Sequence, residues 1–181
     1  MSSQEIVALV DPAGAVVGSA PRSVVRRENL LHAATAVLVR DPAGRIYVHR
    51  RSPGKDWAPG FHDCAAGGVR RYDEPPDVSA ARELAEELGV TGAHLSPLGT
   101  SLYEDDETRC LEHVFETTWD GPVVHADHEV VWGTWMTLPE LDALLAAPGW
   151  SFVPDTRQVL TRLARDGVGD YAALASLVPG R

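Results

Sequence analysis

The chain has 181 residues, 44% hydrophobic and 23% charged, which is enough apolar material for a packed core and too much for a disordered segment. Its formal net charge of −10 excludes a general nucleic-acid binder, whose surface must be basic, but leaves room for a small phosphorylated ligand met by a local cluster of cations. No apolar run approaches the ~20 residues needed to cross a bilayer, so no membrane span is expected.

In chain order, two Asp-Pro-Ala-Gly turns, at 11–14 and 41–44, each join two apolar runs. Proline in the second and glycine in the fourth turn position suit a type I turn. They predict hairpins pairing 5–10 with 15–20 and 33–40 with 45–51, with a short helix in 21–31 between them. Residues 52–68 contain Pro53, Gly54, Pro59, Gly60, Gly67 and Gly68 and read as a structured loop. A helix is predicted over 76–88, with Pro76 in its first turn and Gly89 just past its end. Strands at 95–103 and 109–119 flank an acidic turn at 104–107, taken as solvated. A strand at 130–137 leads into a helix at 139–146, and a last helix covers 155–165. Strands and helices interleave irregularly, so the expected class is α/β, a mixed sheet with helices on both faces. No boundary divides 1–181, which reads as one domain. Residues 1–31 form its N-terminal hairpin and short helix, and 170–181 a C-terminal tail.

The helix at 76–88 breaks local rules in its last turn. Glu83, Glu86 and Glu87 fall within an arc of roughly 100°. Like charges at that spacing repel by a few tenths of a kcal/mol per pair, and the helix dipole disfavours anions there. A divalent cation held by oxygen ligands would offset both penalties. The opposite face carries Ala80, Ala81, Leu84 and Leu88, which suit packing on a sheet.

Between Gly68 and Val90 the spacing is Gly68, Glu74, Arg82, Glu83, Leu84, Glu86, Glu87, Gly89 and Val90. This stretch, 68–90, matches the signature of the Nudix hydrolases position for position, and the chain is identified by it as resembling that family. The resemblance implies a Nudix-type α/β/α sandwich and Mg²⁺- or Mn²⁺-dependent hydrolysis of a diphosphate linkage, in a nucleoside diphosphate derivative or a related diphosphate. It implies metal ligands at Gly68, through its carbonyl, and at Glu83, Glu86 and Glu87, with Glu83, Glu87 and Glu129 as the catalytic carboxylates. Which of them acts as base stays open. Glu129 lies six residues before Trp135, as a functional Glu does in nucleotide-cleaving relatives, with Asp127 as the fallback. Glu74 and Arg82 can form an ion pair that clamps the loop to the helix, a supporting role.

The run His49-Arg-Arg-Ser-Pro-Gly-Lys-Asp-Trp resembles Nudix proteins close to isopentenyl-diphosphate isomerases, in which an Arg and a Lys bind a diphosphate. Arg51 and Lys55, the chain's single lysine, are thus candidate phosphate ligands, together with Arg50. Strand alternation places Arg50 and Arg51 on opposite faces, so only one should face the site. His32 and Trp150-Ser-Phe-Val-Pro154 extend the isomerase likeness. The isomerase residues themselves are missing: Gly67 stands at the place of the cysteine, Val69 at a metal-binding histidine, and Thr108 and Cys110 at the two acids. Hydrolysis on an isomerase-like scaffold is the reading, with a prenyl-diphosphate isomerase or a non-catalytic phosphate-binding module as rivals. His125 and His128 flank Asp127 in what reads as an exposed loop. Trp57 and Trp150 have loop positions that could line a pocket, whereas Trp132 reads as core. Cys64 and Cys110 read as packing residues and, with no basic-then-apolar leader, suggest a reducing, cytoplasmic setting. The expected partner is a small-molecule diphosphate, and whether the chain forms a homodimer is left open.

Overall fold

The structure, a computed structural model, describes residues 5–125 and 128–178. The first Asp-Pro-Ala-Gly turn closes with Gly14 N donating to Asp11 O at 2.9 Å, and joins β1 (Ile6–Val10) to β2 (Val16–Pro21). Helix α1 (Arg22–Glu28) follows, ending on Asn29 in the left-handed conformation. The central strand is β3 (His32–Arg40), buried at every residue. It pairs antiparallel with β6 (Ala65–Val69) and parallel with β8 (Arg109–Thr118), which itself pairs with β7 (Ser96–Glu104).

The second turn does not make the expected hairpin. Strand β4 (Ile46–Arg51) touches β3 at the single rung Arg40–Ile46, then diverges. Its partners are β9 (Val130–Met136) and the short β5 (His62–Asp63). The two strands leaving the turn each find a better partner elsewhere, β3 with β6 and β8 and β4 with β9 and β5. The predicted loop at 52–68 is likewise corrected: its second half forms β5 and β6.

Helix α2 (Pro76–Leu88) lies on one face of the sheet, and α3 (Leu138–Ala146) and α4 (Pro154–Asp166) on the other. Alternation along β3 explains this layering. Val37 and Val39 pack with Ala80, Leu84 and Leu88 of α2, while Ala36 and Leu38 pack with Leu141, Leu160 and Leu163. Each fully buried leucine contributes about 1.5–3 kcal/mol through removal of apolar surface from water. Thr137 and Glu140 cap α3 reciprocally, and Gly89 ends α2 at φ 67°. The chain beyond α4 makes two short 3₁₀ turns, at Gly169–Ala173 and Ala175–Leu177, and these bury Tyr171 and Leu174. The rest of the predicted tail, 179–181, lies outside the described residues.

Candidate functional site

Strand β6 brings backbone against the acidic end of α2. A Cβ on Gly67 would lie 2.0 Å from the carbonyl oxygen of Thr35, so only glycine fits β6 so closely to β3 at that register. A Cβ on Gly68 would sit 2.8 Å from the carboxylate atoms of Glu83. The missing side chains let Glu83 and Glu87 tuck under the strand, where both are essentially inaccessible to solvent. Glu87 Oε2 accepts from the Gly67 N–H at 3.2 Å. Glu86 is different: its side chain is 44% exposed and reaches Arg82 at 3.3 Å.

Arg82 grips Glu74 with two bonds of 2.9 Å and donates to Glu83 Oε1 at 2.6 Å. This is the loop-to-helix clamp anticipated from the spacing. Glu83 Oε2 is buried and has no hydrogen-bond partner. Burial raises the Glu83 carboxyl to about 7, with Arg82 opposing and Glu87 adding to the rise. A buried carboxylate oxygen without a donor, beside the Gly68 backbone and a second buried carboxylate, fits a hard divalent cation as the relieving charge.

Lys55 enters from the loop after β4 and lies under the same helix. Its Nζ donates to Glu87 Oε1 at 2.8 Å and to Glu129 Oε2. Although burial works against its charge, Glu87 and Glu129 hold the ammonium above its usual range. Burial works to raise the carboxyl of Glu129, but the hydrogen bond and the positive charge of Lys55 help to hold it below its usual range. Glu129, Lys55 and Glu87 are therefore one cluster.

Arg51 is buried and lines the pocket, donating to Trp57 O at 3.0 Å with Asp63 at 3.6 Å. Arg50 is exposed on the outer side, against Gly60 O at 3.1 Å. Asp127 lies outside the described residues. His125 bonds Tyr47 Oη at 2.9 Å, and His128 is exposed. Trp57 and His32 line the pocket, but Trp150 stacks between His62 and Phe152, at 4.9 and 5.1 Å.

The pocket spans about 570 Å³, part of it open to solvent, and runs from Gly67 and Gly68 past Lys55 and Arg51. It contains groups that were not singled out in the sequence. Arg22, bonded to Asp56 at 2.9 and 3.0 Å, and Arg26 add positive charge at its wall. Asp63, Glu112 and Asp155 line its floor and are all buried. One signal for Glu112 was available, since it alternates on β8 with the apolar Cys110 and Val114, a place where a carboxylate is unexpected. Asp155 reads locally as no more than a first-turn helix acid.

A sheet between helices, with a glycine-backed cluster of carboxylates at one helix end, defines a phosphoanhydride hydrolase of the Nudix class. The NUDIX domain family model matches residues 30–156, and the chain belongs to the Nudix hydrolase family. It is 43% identical to the uncharacterized Nudix hydrolase orf19 of Rhodococcus erythropolis, over 87% of this chain and 91% of that one. It is 35% identical to the Escherichia coli Nudix hydrolase YfcD, over 88% of this chain and 87% of the relative. The crystal structure of DR0079 from Deinococcus radiodurans superposes with a TM-score of 0.74 at 26% identity, covering 87% of this chain and 98% of its own. Enzymes of this family generally cleave diphosphate bonds and need divalent metal ions.

Proposed function

We propose that the protein hydrolyses a diphosphate linkage in a nucleoside diphosphate derivative or a related small diphosphate, with Glu83, Glu86, Glu87 and the Gly68 carbonyl holding Mg²⁺ or Mn²⁺. The observation that carries this reading is the burial of Glu83 and Glu87 beneath the two glycines of β6, Gly67 and Gly68, with one Glu83 oxygen left unpartnered. The divalent ion supplies Lewis acidity toward the phosphoryl oxygens and a counter-charge for the diphosphate. The chain's own residues do the rest. Arg82 fixes Glu83, the Gly67 N–H fixes Glu87, and Glu129 joins the cluster through Lys55. Glu87 and Glu129 are the two carboxylates that could accept a proton from the attacking water once Lys55 turns to the substrate phosphate. Arg51 supplies a second cation on the pocket wall.

The isomerase-like subgroup remains the alternative scaffold assignment, but its chemistry finds no support at β6. The place expected for its cysteine is Gly67, where the Thr35 carbonyl leaves no room for a side chain. The two cysteines, both free, suit the reducing cytoplasm in which we place the enzyme.

The test is a phosphate-release screen over nucleoside di- and triphosphates, sugar nucleotides, dinucleoside polyphosphates and prenyl diphosphates with Mg²⁺ or Mn²⁺. Glu87→Gln is expected to lower kcat on the best substrate by about 10²–10⁴-fold while keeping the fold, read as a single cooperative melt. Near-wild-type, metal-dependent turnover in that variant removes Glu87 from the mechanism.

A further inference from the structure

On the opposite side of the sheet from the Nudix helix lies a second group of metal-ligating side chains. Cys110 and Glu112 alternate with Val114 on β8, and Val114 packs with Val159 and Leu160 of α4. Phe115, one residue on, faces Leu84 of α2. Cys110 and Glu112 therefore point to the α4 face, and Glu83 and Glu87 belong to the α2 face. Asp155, in the first turn of α4, meets them there: one ligand atom from each of Cys110, Glu112 and Asp155 lies within 4.8 Å of the others, and all three residues are buried.

Arg26 lies near Cys110 and Arg51 near Asp155, yet one oxygen of Glu112 meets no donor. Asp63 has two backbone donors, Cys64 N and Ala65 N, and Arg51 at 3.6 Å. Asp155 accepts from Thr156 N at 2.8 Å and from the Trp57 indole at 3.3 Å. Glu112 is only 5% exposed, and its Oε2 is sealed from solvent without a hydrogen-bond partner. An isolated buried carboxylate oxygen is costly unless a donor or cation meets it. A mutually close thiol and two carboxyls give one soft and two hard donors. That set is unsuited to Mg²⁺ or Ca²⁺, which favour oxygen alone, and suited to Zn²⁺, for which sulfur and carboxylate ligands are both ordinary. Bonds of about 2.3 Å to sulfur and 2.1 Å to oxygen around a tetrahedral ion require only small side-chain rotations from this spread, and leave a fourth position toward the pocket.

We infer that Cys110, Glu112 and Asp155 form a second divalent-cation site, of Zn²⁺ type, separate from the metal cluster on α2. Binding displaces the thiol proton to solvent and links β8 to the start of α4.

Cobalt is the probe, because a Co²⁺–thiolate bond gives a near-ultraviolet charge-transfer band that oxygen ligation does not. Titration of the full-length protein with Co²⁺ is expected to produce this band with one equivalent. Zn²⁺ should abolish it by competition, following the affinity order of the divalent metals. Cys110→Ser should remove the band, Glu112→Gln should weaken Co²⁺ binding at least tenfold, and Glu87→Gln should leave both band and affinity unchanged. No band at millimolar Co²⁺, a band that survives in Cys110→Ser, or one lost in Glu87→Gln overturns the assignment. Should Cys110→Ser fail to fold, unchanged Co²⁺ affinity in Glu112→Gln overturns it equally.

Discussion

Lys55 decides the charge balance of the candidate site. Its side chain is 6% exposed and its ammonium is shared between Glu87 and Glu129, so it already occupies a position that a cation would serve. Breaking a buried pair by removing one partner costs about 3–5 kcal/mol. Lys55→Met is accordingly expected to melt well below wild type without metal, and to gain more from added Mg²⁺ than wild type does, since binding to the native state adds stability by mass action. Thermal melts with and without Mg²⁺ check this; an equal response in both proteins would leave Lys55 as a phosphate ligand only. Glu74→Gln tests the supporting clamp. It should lower stability by about 1–3 kcal/mol, through loss of a charge-assisted bidentate bond, and lower kcat far less than Glu87→Gln. At this scale the sequence was legible wherever spacing is local. The Glu74–Arg82 pair and the opposed faces of Arg50 and Arg51 could be read directly. The partners of Lys55 could not.

Helix α2 was legible as an element because its signals are all short-range: Pro76 opens it, Gly89 closes it, and its apolar and acidic faces alternate at helical period. Strand β6 was not. Ala65-Ala-Gly-Gly-Val69 has weak strand propensity and reads as loop. It becomes a strand because its backbone fits against β3 where no Cβ intervenes. Gly67→Ala is therefore expected to act on the element rather than on one contact. The added methyl must displace β6 from Thr35, at a cost of about 1–3 kcal/mol or more, visible as a lower denaturant midpoint. Unchanged stability would mean that β6 can move freely, and would restore room for a side chain at that place. The β3–β4 hairpin shows the converse: turn chemistry was read correctly, but strand partners are chosen by the whole sheet.

Across the whole molecule, burial of ionisable groups should make stability depend on pH. His49 is 1% exposed, and neither ring nitrogen has a hydrogen-bond partner. Burial lowers its pKa from 6.5 to about 4, against the pull of Glu87. Between those values the unfolded chain takes up a proton that the native state does not. Stability is thus fully present above about pH 6.5 and is lost as pH falls toward 4, by an amount on the order of 3 kcal/mol. Melting temperature measured across this window should fall more steeply for wild type than for His49→Leu. That variant should also be more stable at neutral pH by about 1–3 kcal/mol, having no buried polar atoms to desolvate. Parallel pH profiles for the two proteins would show that His49 finds partners in solution.

The sequence alone determined the chemical class. The signature runs from Gly68, near the end of β6, through one loop and one helix to Val90, and helical periodicity is enough to bring Glu83, Glu86 and Glu87 together. Tertiary structure alone decided how that acidic turn is balanced and what faces it. Lys55 meets Glu87 and Glu129 across 32 and 74 residues of chain. Asp63, Glu112 and Asp155 converge from two strands and a helix start. Such contacts depend on strand pairing, which is set by the packing of both sheet faces and leaves no mark in the spacing of any single segment.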